Sequence, residues 1–367
     1  MLIEIGKDIV EKAEKGDEAS LEILQQLAIA YKYGKHLIYI PIPLLIRICS
    51  ISYLDKNVIS IYKIIKGKAS ELGVLKQAIG YSAIITTLDP NNQNQLWVHP
   101  ARHCAMELYE ETHLLVENLL DADFFRYVSK YYQDNHKLGK CPICFFPLQG
   151  GGATIKDVYA EEMDLKQHFC LAIMDGDKKY PNDQYGQTSE ELKQVHEKEE
   201  PLNCDYYRME KVCEIENLLP LPIVQEYSNN NKKAIFHLNP QLKLSFFDMK
   251  KGFMCCNIKD ECMYNYWQNI FIGHENLRSE LEECYKKCLT EYQYKVSKET
   301  KNTCTKSSNL IDGFGSDLLK DILSDGTSIA KLKKIKGYQL TDDQREEWES
   351  IGKLIFEWCC AGEKMRV

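Results

Sequence analysis

Long apolar runs are missing from this 367-residue chain. The longest, residues 36–51 (HLIYIPIPLLIRICSI), is broken by Pro41, Pro43 and Arg47 and is too short to span a bilayer. The opening residues MLIEIGKDIVEKAEKGDEAS mix acids and bases with no apolar core, so no secretory leader is expected. A surplus of positive charge is missing too. The net charge of -8 excludes a protein that coats nucleic acid through bulk charge. It leaves room for an enzyme that meets phosphate with a metal ion or a local basic groove. No Gly-Lys-Ser/Thr follows the glycines at 150–152, so the chain has no P-loop, and it shows no internal repeat.

Cysteine is plentiful, at 15 residues, but paired cysteine spacing is scarce. CPIC (141–144) has no closely spaced partner among Cys204, Cys213, Cys255, Cys256, Cys262, Cys284 and Cys288, whereas a structural zinc needs four ligands. The expectation is a cytoplasmic protein whose reduced thiols pack as small hydrophobes, with no structural zinc and no essential disulfide.

What is present is the composition of an ordered globule, 44% hydrophobic and 27% charged, long enough for two or three domains. Residues 1–100 read as a helical region: Ile5, Ile9, Leu21, Leu24 and Leu27 recur at helical spacing, and Gly34 stands where a helix would stop. Further short helices are expected over 36–90, broken at Pro41, Pro43 and Gly73. DPNNQNQ (89–95) makes a polar boundary. Residues 101–235 alternate strands and helices, the pattern of a parallel α/β sheet. Strands are expected at Thr112–Glu117, 141–149 and Phe169–Met174, with helices at Ala122–Gln133 and Thr154–Leu165. Tyr180–Pro201 is polar and without period, hence a loop or fraying helix. Residues 236–367 are mostly helical, with one strand at 242–249 and an exposed loop at 297–309.

The acids carry the chemistry. THLLVENLLDADFF brings Glu117 to the end of an apolar strand, and FCLAIMDGDKKYP does the same for Asp175 and Asp177. An unpaired buried carboxylate is costly and must find a cation or a proton. In open α/β sheets ligands bind beyond the carboxyl ends of the strands, where these acids fall. Alternate strand residues point the same way, so Asp175 and Asp177 are expected to face one hard ion. Lys178 and Lys179 follow directly and could steady a phosphate. The histidines show no recognisable nucleophile or base partner.

LLVENLLDADFF resembles the glutamate motif of the Toprim domain, the topoisomerase–primase fold shared with OLD-family nucleases. There a strand ends in Val-Glu and an Asp stands four residues later, here Val116, Glu117 and Asp121. PLQGGGATIKDV is similar to that family's second strand and glycine turn, LAIMDGDKK to its Asp-x-Asp motif, and CEIENLLP to the Glu-rich element of Toprim-like nucleases of bacterial defence systems. The resemblance covers about residues 110–222, and Asn118 departs from the usual glycine. It implies a Toprim, Rossmann-like parallel core with helical flanks, and a Mg²⁺- or Mn²⁺-dependent nuclease acting on DNA or RNA in antiviral defence. Asp175 and Asp177 would hold one metal, and Glu117 a second metal or the role of general base. Glu216 and Asp121 would complete the shell, with Lys178 on phosphate. Lacking a P-loop, such a chain would draw any ATPase or sensor function from a separate subunit. The alternative is a non-catalytic regulatory subunit on the same fold.

Overall fold

The structure is a computed structural model that describes residues 1–103, 106–139, 141–198, 203–230, 244–254, 261–296 and 309–365. Among the described residues ten strands run in order: β1 (Leu2–Ile5), β2 (Leu37–Tyr39), β3 (Ser82–Ile85), β4 (Gln95–Val98), β5 (Thr112–Val116), β6 (Phe145–Gln149), β7 (Cys170–Met174), β8 (Cys204–Arg208), β9 (Gly252–Met254) and β10 (Asn309–Asp312). The chain divides into two compact units. The first holds residues 1–174, 190–207 and 348–367, the second 175–189 and 208–347. The chain passes between them repeatedly, so they cut across the three consecutive regions read from the sequence.

The first unit is α/β with two four-stranded sheets, ordered β2-β1-β3-β4 and β6-β5-β7-β8. All pairings in the first sheet are parallel, as are β5–β6 and β5–β7 in the second. The first sheet corrects the expectation of a purely helical N-terminal region. Its strands are three or four residues long, too short to show a period of two, and β1 is buried throughout, so it reads as a bare apolar patch. Ile5 therefore belongs to a strand, not to the helical face. The helix signals hold around it: Asp17 caps helix Glu18–Tyr33 through Ser20 N, and Gly34 closes it in the left-handed conformation (φ 67°). Pro41 and Pro43 stand at the start of helix Ile42–Ile48 rather than breaking one, because proline suits the first helical turn.

The second sheet follows the sequence reading closely. β5, β6 and β7 lie where strands were expected, and helices Leu119–Asn135 and Ile155–Leu165 fill the intervals. One face of the sheet packs Leu115, Cys170, Ala172 and Met174 with Ile155, Tyr159 and Met163. Leu192 joins this core from helix Gln187–Lys198. Of the two alternatives for that segment, the helix holds over Gln187–Lys198, and it is docked rather than fraying; its single buried leucine is too sparse a signal to reveal a face. The C-terminal end of the chain ties the unit together. Helix Asp342–Cys359 buries Trp348 against Phe124 and Tyr131, Thr112 Oγ1 donates to Trp358 O, and Ile143 bridges Cys360.

The second unit is mostly helical, with β9 and β10 as an antiparallel pair. The strand expected over 242–249 is a turn wherever that segment is described, from residue 244 onward. Phe246 and Phe247 are buried, and the Asn217 side chain donates to the carbonyls of Leu244 and Phe247, which holds the turn. The loop expected at 297–309 lies outside the described residues apart from Asn309, the first residue of β10. Cys284 is disulfide-bonded, which departs from the expectation of reduced thiols. Cys141, Cys170, Cys204, Cys213, Cys359 and Cys360 are free and buried. Among the described residues no helix is long and apolar enough to cross a membrane.

Candidate acidic site

Glu117 is the residue after β5, and Asp175 is the residue after β7, its parallel neighbour. Glu117 is half-buried in the first unit, and Asp175 opens the second. The end of β5 is fixed by the glycine turn. Gly150 N donates to Val116 O (2.7 Å) and Gly151 N to Glu117 O (3.1 Å). Gly151 and Gly152 take positive φ, which explains glycine at both. The amides of Gly150 and Gly151 are therefore engaged by the protein, not offered to a phosphate. Asn118 is extended (φ -131°), so glycine is not required there. Its side chain caps helix Leu119–Asn135, and Asp121 Oδ2 completes the capping box by accepting from Asn118 N (2.8 Å). Asp121, expected in the metal shell, thus has Oδ2 on its own helix start through the i, i+3 geometry.

Asp175 and the residues around it belong to the second unit. Asp175 Oδ1 accepts from Ile215 N (2.9 Å). Gly176 lies against the backbone of 209–212, where a Cβ would collide with Met209 O. Asp177 then turns left-handed (φ 54°) with its N donating to Cys213 O (2.7 Å), and its carboxylate abuts Gly186. β7 has already ended, so the alternation that would aim Asp175 and Asp177 at one ion does not apply. Asp177 is exposed.

The carboxylates that gather beside Asp175 are Glu214 and Glu216. They flank the short helical turn Ile215–Leu218, which Gln344 Nε2 clamps through the carbonyls of Asn217 and Leu219. Both are buried. Lys250 Nζ lies 3.4 Å from Glu214 Oε2 and 3.0 Å from Glu216 Oε2, and Lys250 N donates to Glu214 Oε1. The contact with Glu216 is an ion pair rather than an aligned hydrogen bond, and Glu216 Oε2 is otherwise a buried oxygen without a hydrogen-bond partner. Burial, then the neighbouring Glu216, pushes Glu214 up to about 7. Burial works against the charged form of Lys250, but Glu214, Glu216 and Asp175 together raise it above the ordinary lysine value.

Lys178 was expected on phosphate. Its side chain is buried, with Nζ 3.4 Å from Glu210 O and over the Tyr185 ring. Lys179 pairs with Asp248 (3.4 Å) and meets Cys213 Sγ (3.3 Å). Among the described residues Lys250 is a cation that pairs with Glu214 and Glu216. Nothing in the sequence singled it out, because its neighbourhood read as a strand. Glu214 does carry a local signal, as a second acid two residues before Glu216 in one apolar run. Among the described residues the three-ligand set whose donor atoms lie within 4.8 Å of one another is a different one, His113, Glu162 and His168.

No family model, no curated protein and no solved structure matches this chain.

Proposed function

We propose that this chain is a divalent-metal-dependent nuclease of Toprim type, cleaving phosphodiester bonds of DNA or RNA, in the manner of an antiviral effector. The observation that carries the reading is the crowding of Asp175, Glu214 and Glu216 just past a central parallel strand, with a buried Glu216 oxygen short of a hydrogen bond and Glu214 held near neutrality. Such oxygens suit Mg²⁺ or Mn²⁺, which take carboxylate ligands. Asp175, Glu214 and Glu216 would hold the ion; the Toprim resemblance adds Glu117 as a metal ligand or general base. A bound ion would polarise the phosphoryl oxygen and acidify an attacking water. Glu214 is poised to take up or release a proton near pH 7, the property a general base requires. Lys250 balances the acids and would be an ammonium within reach of a phosphate bound beside them.

Lys250 also favours a second reading. A lysine already paired with both glutamates neutralises part of the cluster without any metal, as in a non-catalytic subunit that acts through a partner. Incubation with DNA and tRNA pools plus Mg²⁺ or Mn²⁺ separates the two. The nuclease reading expects cleavage by the wild type, lost in Glu117→Ala and in Asp175→Ala. Cleavage by neither wild type nor variants, with a partner ATPase supplied, would leave the regulatory reading in place.

A further inference from the structure

At the opposite end of β5 from Glu117, two imidazoles and a carboxylate converge. His113 is the second residue of β5, Glu162 lies in the last turn of helix Ile155–Leu165, and His168 sits in the loop that leads into β7. His113 Nδ1 lies 3.1 Å from Glu162 Oε2, and His168 Nδ1 lies 3.7 Å from the same oxygen. All three side chains are largely buried, at 13%, 17% and 11% exposure for His113, His168 and Glu162. The two rings stack with centroids 4.0 Å apart.

From this geometry we infer that His113, His168 and Glu162 form a binding site for a transition-metal ion of the zinc type, separate from the acidic cluster.

Four features carry the inference. The spacing is right: donors about 2.0–2.2 Å from a tetrahedral zinc stand roughly 3.3–3.5 Å apart. The His113–Glu162 and His168–Glu162 separations, 3.1 and 3.7 Å, bracket that value. The donor chemistry is right: imidazole with carboxylate suits zinc and its first-row neighbours, whereas Mg²⁺ takes oxygen ligands. One donor atom is also left over. At 3.7 Å His168 Nδ1 is too far for a hydrogen bond, and it is a buried ring nitrogen with no hydrogen-bond partner. All three side chains are also largely buried, so the Glu162 carboxylate needs a cation beside it.

The surroundings are built to hold these ligands. Lys166 takes a left-handed conformation (φ 52°) that ends the helix and turns the chain toward His168. Asn203, fully buried, donates to both Glu162 O (3.1 Å) and His168 O (2.7 Å), fixing the backbone of two ligands at once. Glu107 Oε2 faces the other ring nitrogen of His168 at 3.8 Å. That is the place of the carboxylate that commonly orients a metal-bound histidine. With three protein ligands a fourth position remains for water, as in zinc sites that are not closed by four side chains.

The test uses full-length protein stripped with chelator and then titrated with Zn²⁺ and, separately, Co²⁺. One equivalent of Zn²⁺ should bind tighter than micromolar and raise Tm. X-ray absorption of the bound ion should show nitrogen and oxygen neighbours and no sulfur, which separates this site from the cysteines. His168→Gln and Glu162→Gln should each weaken Zn²⁺ binding at least tenfold. Mg²⁺ binding at the acids should stay unchanged in both. If Glu162→Gln folds poorly, His168→Gln, with its Tm measured in chelator, still decides. Absence of tight binding to the wild type, a sulfur shell, or unchanged affinity in His168→Gln would overturn the assignment. None of these readouts depends on nuclease activity.

Discussion

Replacing Lys250 by Gln should reveal how strongly the acidic cluster wants a cation. Lys250 is about one-third exposed and touches two nearly buried glutamates at 3.4 and 3.0 Å. Removing one partner of a buried ion pair costs about 3–5 kcal/mol, whereas an exposed pair is worth roughly 0–1 kcal/mol. The partial exposure of the ammonium places Lys250→Gln between these, at about 2 kcal/mol in metal-free buffer. The deficit should depend on pH. Glu214 already titrates near 7, and loss of the ammonium moves it higher still, so a proton replaces the lost charge in weakly acidic buffer. The variant should therefore be nearest to wild type at about pH 6 and furthest from it at about pH 8.5, either side of the Glu214 value. A divalent ion should supply what the lysine did. At 100 times its Kd a ligand stabilises by about 2.7 kcal/mol, enough to reverse the loss. Thermal melts with and without millimolar Mg²⁺ or Mn²⁺ measure this, and the metal-induced rise in Tm should be larger in Lys250→Gln than in wild type. A variant that melts like wild type at both pH values, or that ignores both metals, would refute the idea that these acids form a cation site.

Other expectations follow from single contacts. Glu214 has a raised folded-state value, so its contribution is fully present below about 4.5 and is lost as pH rises through about 7. Glu214→Gln should accordingly gain stability relative to wild type in metal-free melts at alkaline pH and little at pH 5. Gly176→Ala drives a methyl into the Met209 carbonyl, a backbone atom with little room to yield, and should lower stability by about 1–3 kcal/mol in denaturant titrations. Asp121→Ala removes half of a capping box and should cost about 0.5–2 kcal/mol while leaving divalent-ion affinity unchanged, as read by calorimetry.

The parts of the fold legible in the sequence are those where one element carries a full period or a clear stop. β5, β6 and β7 are five-residue strands flanked by turns, and Asp17 and Gly34 bound a 16-residue helix, so each could be read locally. The first sheet was hidden because strands of three and four residues bind one another through hydrogen bonds that leave no trace in periodicity. The acids themselves were legible, because a carboxylate at the end of an apolar run is locally anomalous. Their partners were not. Lys250 reaches Glu214 and Glu216 from a turn that Asn217 holds in place, and a contact across more than thirty residues leaves no local signature. The same holds for His113, Glu162 and His168. Each taken alone is an ordinary residue near a sheet, and only the pairing of β5 with β7 and the helix between them brings the three together. For Asp177 the reason is different: the i, i+2 rule assumes a continuing strand, and β7 stops at Met174.

The most direct test is the anomalous density of a crystal soaked in Mn²⁺. The account predicts a peak bonded to Asp175 and to at least one of Glu214 and Glu216, and loss of that peak in Asp175→Asn. A peak confined to His113, Glu162 and His168, or no peak at the acids at saturating Mn²⁺, would contradict the metal-dependent nuclease site.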